Sequence, residues 1–120
     1  GYGGPNERLR DHGYQLPRYY PGVGSNQVEA VAGGYGDPIE LWEKLKASPA
    51  HRSHLLGEHP FYLEQYEIGV GHARREDSPH EHYWAIYVAK PRVSDEDDVR
   101  TKGGDGVIPE KGESDVERFK

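Results

Sequence analysis

Two stretches of the chain alternate strictly between apolar and other residues. In Tyr62–Ala73, Tyr66, Ile68 and Val70 alternate with Glu67, Gly69 and Gly71. In Tyr83–Ala89, Trp84, Ile86 and Val88 alternate with Tyr83, Ala85 and Tyr87. A period of two predicts paired strands with one or both faces covered. The link Arg74–Glu81 is charged and contains Pro79, which predicts an exposed hairpin loop. Gln27–Ala32 reads as a third extended segment, with Val28, Ala30 and Ala32 on one face and Glu29 beside Val31 on the other. Gly33-Gly34-Tyr35-Gly36 closes it.

Helical spacing occurs between these strands. Asp37 is a cap, Pro38 suits the first turn, and Glu40 completes a capping-box-like spacing. Leu41, Trp42 and Leu45 then form an apolar stripe. Ser48-Pro49 stops that helix and starts a short second one towards Leu55, Leu56 and Gly57, with Ser48 as its cap. Near the start, Pro5–His12 is a helical candidate closed by Gly13. Its one strong apolar residue is Leu9, so tertiary contacts must hold it. Tyr14–Gly24 is a structured loop, and beyond Lys90 no periodicity remains.

Composition narrows the picture. A chain of 120 residues is expected to form one domain around one core. Hydrophobic residues are 33%, charged residues 30% and mean hydropathy −0.97, lean enough that part of the chain should not pack. That part is residues 91–120, a polar tail with nine acids against six bases, expected to be flexible or loosely docked; residues 1–90 form the domain. Nine tyrosines and two tryptophans supply much of the area to be buried. The expected core is Trp42, Leu45, Ile68, Val70, Trp84 and Ile86.

Other features exclude classes. Net charge is −6 with no basic patch, which argues against nucleic acid as a partner. No apolar run approaches the roughly 20 residues needed to span a membrane. Without cysteine there is no disulfide, thiol chemistry or thiolate zinc site. The lack of methionine points to a processed or excised piece.

The motifs occur in a recognisable order. Val28-Glu29-Ala30-Val31-Ala32-Gly33-Gly34-Tyr35 is followed by Asp37-Pro38, then by Ser48-Pro49-Ala50-His51-Arg52-Ser53-His54-Leu55-Leu56. Glu67–Ala73 and Tyr83-Trp84-Ala85-Ile86-Tyr87 come next, and Arg8–Tyr14 matches an Arg-x-x-x-x-Gly-Tyr helix end. This series resembles the bacterial branch of the CAP superfamily, the group of cysteine-rich secretory and pathogenesis-related proteins. The resemblance implies an α+β fold, a CAP-like α-β-α sandwich around a small, mainly antiparallel sheet. It also implies a long first helix upstream of Gly1, so that the N-terminal layer of this chain is incomplete and apolar surface is left for a partner. Four positions depart from the pattern: Ala30 and His54 stand where the family has asparagine, Leu45 where it has tryptophan, and Ser48 where a second cleft glutamate would fall.

Two of the family's cleft residues carry over, Glu29 and His51, as ligands of a divalent metal such as zinc or magnesium. His51 would lie in the first turn of a helix, whose positive end favours a neutral imidazole, a metal ligand or general base. The alternative is that Glu29 and His51 bond each other and simply fix the loop to the helix. His54, one turn on, has the same choice between facing the ion and packing. His72, His80 and His82 form a second group able to bind zinc or copper, or to stand solvated in a charged loop. Asp95–Asp98 and Gly103–Gly106 lack the EF-hand pattern and read as solvated tail. Ser48 is expected to be spent on capping, and no Gly-x-Ser-x-Gly elbow exists.

The resemblance thus implies a secreted or cell-surface binding domain with a cleft for a small molecule, a lipid or a protein partner. A metal- or His/Glu-assisted hydrolase using His51 as base, and a purely structural domain, are the alternatives.

Overall fold

The computed structural model describes residues 3–93, 108–109 and 117–118. Asp95–Asp98 and residues 103–106 lie outside them. The fold is a small α+β domain. In chain order it runs α1 (Pro5–Asp11), β1 (Glu29–Gly33), α2 (Pro38–Ala47), α3 (Pro49–Leu55), α4 (Pro60–Leu63), β2 (Glu67–Arg74), β3 (His82–Ala89) and β4 (Glu117–Arg118). The sheet order is β2-β3-β1-β4. The three longer strands are antiparallel, and β4 adds a short parallel pairing at Ala32 and Gly33.

Each helix starts with a proline in its first turn, where the missing N–H costs nothing. The Asp37 carboxylate accepts from Ile39 N–H at 2.9 Å, as a cap should. His59 does the same for α4, its Nδ1 accepting from Phe61 N–H at 3.0 Å. Gly13, at φ 91, takes the left-handed conformation that ends α1, and its N–H closes onto Arg10 O at 2.9 Å.

Strand register assigns the faces. Ala32 pairs with Trp84, Ile86 with Val70 and Val88 with Ile68, so these share one face. On it Ala32, Ile86 and Val88 pack with Leu41 and Leu45 of α2 and Leu55 of α3. Glu29, Tyr87 and Gly69 lie in line on the opposite face. A second cluster joins Leu16, Tyr20, Val28, Phe61, Tyr62 and Ala89, with Leu9, Tyr14 and Tyr87 packed against it.

A buried amide network ties the first helix to the sheet. Asn6 Nδ2 donates to Gln27 Oε1 at 2.6 Å, and Gln27 N–H returns to Asn6 Oδ1 at 3.0 Å. Gln65 Nε2 donates to Gln27 O at 2.8 Å and to Tyr20 Oη at 3.1 Å. Asn26 Oδ1 accepts from the N–H groups of Val28 and Glu29 at 3.1 and 2.8 Å, setting the entry to β1. These bonds satisfy groups that would otherwise be buried at a cost of about 1–3 kcal/mol each.

Three expectations need correction. Ile68 and Val70 are not core; they are 69% and 61% exposed, because β2 is an edge strand and the α2/α3 cluster takes in β1 and β3 residues only. Trp42 is also surface, 38% exposed with Lys46 Nζ 5.7 Å from its ring centroid, since Leu41 and Leu45 form the inward row of α2. The strand expected from Tyr62 begins at Glu67; Phe61 and Tyr62 are instead buried in α4, whose Pro60 start outweighs the alternation. Of the tail, Glu117–Arg118 pair with β1, and the Pro109 carbonyl accepts from Gln27 Nε2 at 3.1 Å.

Candidate functional site

A groove of about 310 Å³ runs between α1 and the sheet edge. Leu9 and Tyr14 form one wall, Glu67 to Gly69 of β2 the other, and Tyr87 and Ala89 of β3 lie between. The local sequence explains each part. Gly13 turns the chain so that Tyr14 folds back, its N–H bonding Leu9 O at 2.9 Å. Arg10 holds the following loop: its guanidinium donates to Glu7 Oε1 at 3.0 Å and to the carbonyls of Pro17 and Tyr20 at 3.2 and 3.1 Å. Gly69 leaves the groove open, because a Cβ at this position would meet nothing within 4 Å.

The groove carries one polar fixture. Tyr14 Oη donates to Glu67 Oε1 at 2.5 Å. Burial, the bond to Glu67 and the carboxylate's charge together push the Tyr14 phenol well above its ordinary value. Tyr14 therefore remains a neutral donor through physiological pH. A second cleft, of about 380 Å³, also borders on Tyr14, with Arg10, Arg18 and Arg92 in its lining. An apolar slot with one placed polar pair has the make-up of a site that takes up and orients a small ligand.

The residues expected to form the cleft, Glu29 and His51, are both buried. Glu29 is 5% exposed and its Oε1 is buried with no hydrogen-bond partner. His51 is 6% exposed, and its Nδ1 lies 2.9 Å from Ser48 Oγ. No hydrogen bond of Glu29 Oε1 joins the two. Alternation along β1 sets Glu29 on the Tyr87 face, whereas α3 lies over the other face through Leu55. Ser48 occupies the cap position of α3, but its side chain makes no capping bond; the hydroxyl goes to His51 instead. The expectation that capping consumes this serine is therefore overturned.

His54 is 1% exposed and lies edge-on to Tyr62 at 4.9 Å, a packing position. In the hairpin, His72 and His82 come together at 2.9 Å, while His80 turns towards Tyr83. Among the described residues no group of three or more His, Cys, Asp or Glu side chains is arranged to hold a metal ion. The orphaned Glu29 oxygen has the chemistry of a cation ligand, but the described residues supply it with no complete donor set.

Tyr14, Glu67 and Gly69 escaped the sequence reading as site residues. They lie in separate elements, and no local spacing links a tyrosine after a helix to a strand 53 residues later. No protein-family model, curated protein or solved structure matches the chain. Among the described residues no helix is long and apolar enough to cross a membrane.

Proposed function

We propose that this chain is a CAP-like binding domain, acting outside the cell, that takes a small apolar molecule into the groove between Leu9, Tyr14 and the β2–β3 edge. The observation carrying this reading is the groove itself, apolar along its length with the Tyr14–Glu67 pair at its polar end. Its volume lies at the small end of ligand clefts, roughly 300–1,000 Å³, and fits a compact lipid or short acyl chain better than a bulky ligand. The CAP-like α-β-α sandwich is supported by the order of elements and by packing on both sheet faces. Secretion rests on the resemblance alone. For a divalent cation at Glu29 and His51 the support is the partnerless Glu29 oxygen, and the opposite placement of α3 weighs against one shared ion.

Gly69→Leu tests the reading. The position is open and its backbone is ordinary for an L-residue, so the variant should fold and should gain strand propensity. Binding of a fluorescent medium-chain fatty alcohol, whose hydroxyl can donate to Glu67, should fall by about tenfold or more. Val70→Thr, on the other face, should leave binding unchanged. Equal binding by Gly69→Leu would refute the groove.

A second reading, a hydrolase with His51 as base, is favoured by the Ser48 Oγ–His51 Nδ1 contact at 2.9 Å. An esterase and peptidase panel that responds to the wild type but not to His51→Ala would support it.

A further inference from the structure

The hairpin carries a side-chain cluster that the groove does not use. Register sets His72 opposite Trp84 and Arg74 opposite His82, so the two histidines are diagonal neighbours on one face. His72 Nε2 lies 2.9 Å from His82 Nδ1, with the rings 10° from parallel. One nitrogen must carry the proton and the other the lone pair, so a single proton bridges them. His72 stacks on Trp84 at 4.2 Å between ring centroids.

The other nitrogen of His82 is also provided for. Glu81 Oε2 lies 3.5 Å from His82 Nε2 and is held by Arg74 Nε at 2.8 Å. A carboxylate beside Nε2 favours the proton there and leaves Nδ1 with its lone pair. This is the outer-shell partner that metal-binding imidazoles regularly have. Two backbone features accommodate the arrangement. Glu81 sits at φ 62, a strained conformation for a residue with a side chain. Gly36 leaves room for the ring, since a Cβ there would come within 2.8 Å of His82 Nε2.

We propose that His72 Nε2 and His82 Nδ1 form a two-imidazole site for a divalent transition metal, copper(II) before others, with water completing its coordination. Imidazole nitrogens suit copper, nickel and zinc, and copper(II) stands highest in the general affinity order. The ion takes the place of the bridging proton. That proton moves to His72 Nδ1, so each ring stays neutral and no net charge is lost from the pair. The exposed side chain of His72 turns to converge the two lone pairs on the ion.

Titration of copper(II) into the full chain, in a Trp42→Phe background, tests this through Trp84 emission. The expected result is quenching that saturates at one ion per chain, with nickel and then zinc binding more weakly. His72→Ala and His82→Ala should each weaken copper binding about tenfold or more, and His80→Ala should not. The copper-loaded wild type should show imidazole nitrogen hyperfine structure by electron paramagnetic resonance. Unchanged copper affinity in both His72→Ala and His82→Ala, or a spectrum without imidazole nitrogen, would overturn the site.

Discussion

Val70 of β2 lies directly opposite Ile86 of β3, yet Ile86 is 8% exposed and Val70 61%. The step between neighbouring strands marks where the α2/α3 layer ends, and it separates residues of the same chemical type into core and surface. Ile86→Ala should cost about 2–5 kcal/mol through lost burial and a cavity. Val70→Thr should change stability by no more than about 0.5 kcal/mol. Urea unfolding of the two variants checks both figures.

Glu29 should be a residue kept at the expense of stability. Its carboxylate is buried with one oxygen lacking a partner, and an unsatisfied buried polar group costs about 1–3 kcal/mol. Glu29→Gln keeps the shape and removes the charge, so it should raise the unfolding free energy by about 1 kcal/mol. Thermal and urea unfolding read the sign. A loss of stability would contradict this expectation.

Asn6→Ala should be among the most destabilising single changes in α1. It strips the donor from Gln27 Oε1 and the acceptor from Gln27 N–H inside the domain, and it removes the bond to Pro21 O. The expected loss is about 2–4 kcal/mol, since each group left unsatisfied costs about 1–3. Arg8→Ala, at an exposed position of the same helix, serves as the comparison.

Tyr14 sets an alkaline limit. Its folded pKa is raised above the ordinary value of 10.0, so the neutral form is favoured by the fold. The stabilisation is fully present below pH 10 and is lost as pH rises through the higher folded value. Relative to Tyr14→Phe, the wild type should therefore lose stability only above about pH 10. In a spectrophotometric titration Tyr14→Phe should remove one ionisation step that lies above pH 10.

The sequence reading succeeded where local physics decides. The helices started by Pro5, Pro38 and Pro49, the Asp37 cap, the Gly13 stop and the β2–β3 hairpin were legible, because each depends on residues a few positions apart. It erred where burial depends on what lies across the sheet. Ile68 and Val70 alternate like core residues, and only the extent of the α2/α3 layer reveals that they are not. The buried amides Asn6, Gln27 and Gln65 left no mark, since a polar residue in a loop or helix start is ordinarily solvent-facing. For the candidate site, local motifs single out Glu29 and His51, but whether they meet depends on strand face and helix layer. The Tyr14–Glu67 groove needed a contact between distant elements.

The most direct test of the binding reading is a titration of the ¹⁵N-labelled chain with a medium-chain fatty alcohol, followed amide by amide. The account predicts saturable shifts concentrated at Leu9, Tyr14, Gly69, Tyr87 and Ala89, and their loss in Gly69→Leu. Shifts confined to other parts of the molecule, or a wild-type spectrum that does not respond, would contradict it.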